Sequence, residues 1–175
     1  MSRLLTVGHG RLDRAGLGRL LGDAGVEAVV DVRRYPGSRT NPDVAREALE
    51  SWLPTAGIGY RWEERLGGRR RLTGEPVDNW WRVEQFAAYA AHTRTAGFTA
   101  AMSRLLDEAD RSTAAVMCSE SLWWRCHRRL IADVAELAHG VHVEHLGHDG
   151  SCTDHPVAGG ARLVGAGQVI WDRDR

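Results

Sequence analysis

An α/β fold is predicted: three layers, with a mainly parallel sheet of about five strands covered by helices on both faces, followed by a short C-terminal hairpin. Three observations predict it. Short β-branched or apolar runs alternate with stretches of helical spacing, no internal repeat or low-complexity linker interrupts them, and 175 residues suit one domain with a real core better than two. The expectation is a single domain over residues 1–175, with a tail from 147 onward that carries the hairpin.

The first strand runs from Leu4 to Val7 and is closed by Gly8-His9-Gly10. A helix over Leu12–Ala24 places Leu17, Leu20 and Leu21 on one face, and Gly25 ends it. Val26–Val32 is the second strand, stopped by "DVRRYPGSRTNP", whose prolines, glycine and asparagine make a loop. Asp43–Ala56 returns to helical spacing through Val44, Ala48, Leu49 and Trp52, and Ile58–Trp62 is a third strand.

Residues 63–78, "EERLGGRRRLTGEPVD", read as a long exposed loop. Trp80–Ala91 and Phe98–Ala109 are helical, Ala114–Met117 is a strand, Arg125–Ala138 a helix and Val141–His145 the fifth strand. Ala161–Val164 and Gln168–Trp171, joined by Gly165-Ala166-Gly167, form the hairpin.

In an open parallel sheet, ligands bind outside the carboxyl ends of the strands, where the strand order switches. His9, Asp31, Arg33, Cys118 and Glu120 follow the first, second and fourth strands. Parallel strands therefore bring all five to one edge of the sheet.

Composition narrows the chemistry less than position does. Formal net charge is zero, and all 23 basic residues are arginine. Arginine grips phosphates and carboxylates with a planar fork, so Arg33-Arg34-Arg39, Arg69-Arg70-Arg71 and Arg125-Arg128-Arg129 are candidate anion contacts. No apolar window is long enough for a membrane span, and the N-terminus has no signal-peptide pattern. A cytoplasmic protein with no membrane partner is expected, its three cysteines reduced.

The richest stretch is "MCSESLWWRCHRR", Met117–Arg129. Cys118 at a strand-to-helix turn suits a thiolate nucleophile. However, Arg125 comes one residue later than a Cys-x5-Arg phosphate loop requires, and the loop lacks glycine. A structural thiol in a pocket wall is the competing reading. A helix starting near Arg125 would offer amides and a positive dipole end to an anion, with Arg128 one turn in and Arg33 and Arg39 approaching from the second loop. One ring of each pair, Trp80-Trp81 and Trp123-Trp124, is free to line a cleft and stack on a base or sugar. "HLGHDGSCTDH" supplies His145, His148, Cys152 and His155 at spacings that permit zinc without being diagnostic of it.

The ordered segments "TVGHG", "DVRRYPGSRTNP", "YRWEERLGGRR", "FAAYA" and "CSESLWWRCHRRLIADV" resemble the family of domains of unknown function 488 (DUF488), a resemblance that extends over nearly the whole chain. It implies an α/β fold and a shared polar pocket, without naming a substrate. It picks out His9, Asp31, Arg33, Pro36, Ser38, Arg39, Cys118, Glu120, Cys126, His127 and Arg128. Gly10 departs from it, since many members carry serine there.

Three functional classes fit these residues. The first is an enzyme for hydrolysis or group transfer on a small anionic or nucleotide-like substrate. Its catalytic candidates are His9, Asp31, Cys118, Glu120 and His127, and its substrate-binding candidates are Arg33, Ser38, Arg39, Trp123, Trp124 and Arg128. Glu120 or Asp31 would serve as base, His9 as proton donor or orienter, and Arg33, Arg39 and Arg128 as anion clamps. The second is a non-catalytic module binding nucleic acid or a nucleotide through Arg69-Arg70-Arg71 and tryptophans. The third is a zinc-stabilised domain; no cofactor is otherwise expected.

Overall fold

A computed structural model describes residues 2–173. Its main sheet holds five parallel strands, β1 Arg3–Gly8, β2 Ala28–Asp31, β3 Gly59–Trp62, β4 Ala114–Cys118 and β5 His142–Leu146, in the order β3-β2-β4-β1-β5. An antiparallel edge strand, β6 Cys152–Asp154, pairs with β5. Strands β7 Ala161–Val164 and β8 Gln168–Trp171 make the separate C-terminal hairpin. The α/β class and the hairpin are as read from sequence; β6, three exposed residues without apolar alternation, is additional.

Neighbouring core residues on each strand point to opposite faces, as a pleated strand requires. Leu4, Val30, Ala114, Val116 and Val143 pack on one side against α3 Glu84–His92, α4 Ala96–Arg111 and α5 Arg128–His139. Leu5, Val7, Val29, Ala115 and Met117 pack on the other against α1 Arg14–Asp23 and α2 Arg46–Thr55. The buried stripe of α4, Phe98, Ala101, Met102, Leu105, Leu106 and Ala109, keeps the three-and-four spacing of an amphipathic helix.

Helix boundaries follow local chemistry. Asp13 caps α1, its side chain accepting from Gly16 N at 2.8 Å, and Gly140 ends α5 in the left-handed region at φ +64°. Two expected helices start late. The expected Trp80–Ala91 helix begins only at Glu84, and Trp80-Trp81 precede it. The expected Arg125–Ala138 helix begins at Arg128, because Trp123–Arg125 form a separate 3-10 turn and Cys126 is extended. The loop at 63–78 is not wholly exposed, since Glu63, Leu66 and Asp78 are buried anchors.

Strand order fixes where a ligand can enter. From β1 the chain crosses β4 to reach β2, whereas from β4 it crosses β1 to reach β5. Adjacent strands whose connections depart in opposite directions leave a crevice at their carboxyl ends. Backbone bonds tie the two loops there, from His9 N to Cys118 O and from Gly10 N to Ser119 O, both 2.9 Å. Gly8 is needed at this crossing, because a Cβ on it would lie 1.8 Å from the Glu120 carbonyl oxygen.

Candidate functional site

At this crevice lies a cleft of about 420 Å³, a size suited to a small molecule. Its wall comes from the segments after β1 (His9, Gly10), after β2 (Arg33 to Asn41) and after β4 (Cys118 to Glu120). Gly68 and Arg69, α3 through Gln85 and Tyr89, and the turn Arg125-Cys126-His127 complete it.

Asp31 and Arg33 form the rear of the site. Arg33 donates from Nε and Nη2 to the two Asp31 oxygens at 2.9 and 2.7 Å, and Tyr60 donates to Oδ2 at 2.6 Å. Burial first, then the Asp31 charge, raise the Tyr60 phenol and keep it a donor. With both oxygens engaged and no exposed surface, Asp31 lies behind the cleft wall. Its placement suits an orienter of Arg33 rather than the base considered from sequence.

His9 donates from Nδ1 to the Gly10 carbonyl at 2.9 Å, so its Nε2 lone pair faces Arg33 Nη1 at 3.3 Å. Burial, followed by the Arg33 charge, lowers its pKa despite the Gly10 bond. The Nε2 lone pair thus accepts a hydrogen bond from Arg33, which suits the orienter rather than the proton donor of the two roles considered from sequence.

The two cysteines meet on the cleft wall. Cys118 Sγ is 2.8 Å from Cys126 Sγ, which lies 3.5 Å from His127 Nδ1 and accepts from Arg128 N at 3.5 Å. His127 donates from Nε2 to the Val32 carbonyl at 2.9 Å, and Gly68 crosses its ring closely enough that a Cβ would sit 3.0 Å from Nδ1. Burial raises the Cys118 thiol, and the Cys126 partner adds to the rise. Burial also raises Cys126, but the Cys118 hydrogen bond, His127 and Arg128 outweigh it and hold this thiol well below its ordinary value. Either sulfur is placed to donate in the contact that joins the pair.

His9, Arg33, Ser38, Cys118, Glu120 and His127 of the expected set line the cleft. Arg39, Trp123, Trp124 and Arg128 do not. Arg128 is buried and donates to Thr6 Oγ1 at 3.0 Å and to the Glu120 carbonyl at 2.6 Å, fixing the 120–121 loop instead of clamping a ligand. Its expected place one turn into a helix fails because the helix starts at this residue. Trp123 stacks on His145 at 4.3 Å with rings 3° from parallel, and Trp124 packs edge-on against Trp123, so neither forms a rim. Trp81 is buried under Arg129, and Trp80 fills the space above Gly160.

The arginine clusters divide one by one. Arg34, Arg69 and Arg125 open onto the cleft, whereas Arg70 turns inward to the carbonyls of Gly67 and Glu64 at 3.0 and 2.6 Å. The run 69–71 is therefore not a continuous basic patch. Arg69 has φ +57°, an unusual backbone state for a side-chain-bearing residue, directly after Gly67-Gly68. Sequence reading missed Cys126 among the chemically active candidates, although the Cys-His-Arg motif named it, missed Tyr89, although the segment "FAAYA" contains it, and missed Gln85, for which no signal existed.

The tail histidines do not converge. His148 donates to the Gly8 carbonyl at 2.6 Å, Cys152 is exposed on β6, and His145 and His155 are joined directly at 2.8 Å in a buried chain running Arg128–Thr6–His145–His155–Asp133. Gly10 adopts φ +52° beside His148, whose Cε1 would lie 2.9 Å from an added Cβ. A side chain at this position would therefore meet a strained backbone as well as the His148 ring. Among the described residues, no helix is long and apolar enough to cross a membrane.

No curated protein and no solved structure matches the chain. The family described as "Domain of unknown function DUF488" matches residues 13–135, which span β2 to β4, most of α5 and most of the cleft wall. The resemblance read from sequence reached further, into "TVGHG" and the tail, than this match does. With more than half of its length matched, the chain belongs to the DUF488 family.

Proposed function

We propose that the cleft binds a small substrate bearing a phosphate or carboxylate and transforms it by hydrolysis or group transfer. One observation carries this reading: among the described residues, Arg33, Arg34, Arg69 and Arg125 line a cleft with Glu120 as its one carboxylate, and Arg69 and Arg125 make no ion pair. Arg33 is already neutralised by Asp31, so Arg34, Arg69 and Arg125 are the anion contacts in this scheme. Arg34 is oriented by donating to the Arg69 carbonyl at 2.8 Å. Glu120, which accepts from Leu122 N at 3.1 Å through one oxygen, serves as the base, and His9, whose Nε2 faces Arg33 Nη1 at 3.3 Å, orients that arginine.

Calorimetric titration with inorganic phosphate, a nucleoside monophosphate and citrate tests the reading. The expected result is saturable binding to at least one, weakened by salt and lost in the Arg69→Ala/Arg125→Ala double variant. Each charge-assisted arginine contact contributes about 1.5–3 kcal/mol, so each removal should weaken binding by roughly 10- to 100-fold. Once a turned-over substrate is found, Glu120→Gln should abolish turnover while leaving binding intact. Absence of saturable binding, or equal affinity in the double variant, would overturn the reading.

A further inference from the structure

We propose that Cys118 and Cys126 are a redox-active dithiol that exchanges with small disulfides entering the cleft. Both line it, and their sulfurs are 2.8 Å apart, so about 0.8 Å of approach reaches the ~2.05 Å bond of a disulfide. The two positions are not equivalent. Cys126 has His127 Nδ1 and the Arg128 amide around its sulfur, whereas Cys118 faces Cys126 and the Glu120 carbonyl. These surroundings make Cys126 the attacking group and Cys118 the resolving one.

The exchange balances without a further reagent. The Cys126 thiolate attacks one sulfur of a disulfide RSSR, the S–S bond breaks, and RS⁻ leaves behind a mixed disulfide on Cys126. Cys118 then gives up its proton and attacks Cys126 Sγ. The second RS⁻ departs, and the two leaving thiolates take up the Cys118 proton and one from solvent. The dithiol is oxidised by two electrons, RSSR is reduced to two thiols, and a small thiol reverses the sequence. The third cysteine, Cys152, is exposed on β6 and has no part in this.

Dithiol chemistry does not depend on the anion reading; only the preferred charge of the disulfide does. The test uses folded Cys152→Ser protein incubated with neutral hydroxyethyl disulfide, anionic glutathione disulfide or cationic cystamine, followed by intact mass and peptide mapping. The expected product has lost two hydrogens and carries a Cys118–Cys126 linked peptide, and Cys118→Ser instead accumulates a mixed disulfide on Cys126. If the folded protein keeps both thiols free under conditions where its urea-unfolded form is oxidised, the proposal is overturned. It is equally overturned if only intermolecular links form. Linkage by all three disulfides at equal rates at low salt would uphold the dithiol and count against the anion reading. Anion binding by a protein that never forms the link would do the reverse.

Discussion

Removing the Asp133 carboxylate should detach the C-terminal segment from the sheet. Asp133, on α5, has no exposed surface and accepts from His155 Nε2 at 2.6 Å, Ala158 N at 3.1 Å and Trp171 Nε1 at 2.8 Å. All three donors belong to the stretch after β5, which has little apolar surface outside Ala158, Ala161, Val169 and Trp171 with which to hold itself. In Asp133→Ala these buried donors lose their partner at once. A buried donor left unsatisfied costs about 1–3 kcal/mol, and water entering the vacated space offsets part of the sum, leaving about 3–5 kcal/mol. That is a large share of the ~5–15 kcal/mol that stabilises a typical domain. Asp133→Asn keeps one accepting oxygen but turns an amide N–H toward a donor, so it should cost about 1–3 kcal/mol. Urea unfolding followed by tryptophan fluorescence reads both, since Trp171 is fully buried at the joint. A loss below about 1 kcal/mol in Asp133→Ala, with an unchanged urea dependence, would refute the claim that this carboxylate docks the tail.

The remaining predictions concern acid stability, the crossing loop and the Asp31–Arg33 pair. Burial, with the His155 and Arg128 charges, holds His145 at about 3 against its ordinary 6.5. Between those values the unfolded chain binds a proton that the folded one refuses, so stability should fall as pH drops from 6.5 toward 3, by up to about 1.4 kcal/mol per pH unit from this group. His9 and His92 are lowered in the same sense, so the test is a shallower slope between pH 6.5 and 4.5 in His145→Gln; an unaltered slope would exclude His145 as a contributor. Gly8→Ala should shift the Glu120 loop and cost about 1–3 kcal/mol, visible in thermal unfolding and in weaker anion binding. Wild-type behaviour would mean that this loop yields freely. Asp31→Leu should cost about 3–5 kcal/mol by stranding the Arg33 charge, and Asp31→Leu/Arg33→Met should recover much of that loss. Equal stability of the single and double variants in urea would show that the pair is not coupled.

Local pattern was enough for the framework. Paired apolar neighbours such as Leu4-Leu5, Val29-Val30 and Ala114-Ala115 mark strands buried on both faces, and this alone implies helices above and below a parallel sheet. Gly25 ends α1 by turn chemistry, which acts over one or two residues, whereas the expected start at Leu12 lies before the Asp13 cap. Parallel order then carries His9, Arg33, Cys118 and Glu120 to one edge, which is why part of the cleft was legible. The destination of each arginine was not. Arg128 turns inward because Thr6, 122 positions away, awaits its guanidinium, whereas Arg125, three residues earlier on a 3-10 turn, opens onto the cleft. The meeting of Cys118 with Cys126, the stacking of Trp123 on His145 and the buried chain from Thr6 to Asp133 likewise depend on partners brought together by the sheet. Sequence determined most of the strands and helices, though not β6 or the late starts of α3 and α5, because hydrophobic period and turn chemistry are local properties. Tertiary structure decided which polar side chains face the ligand and which serve the core, because a buried charge goes where its partner is.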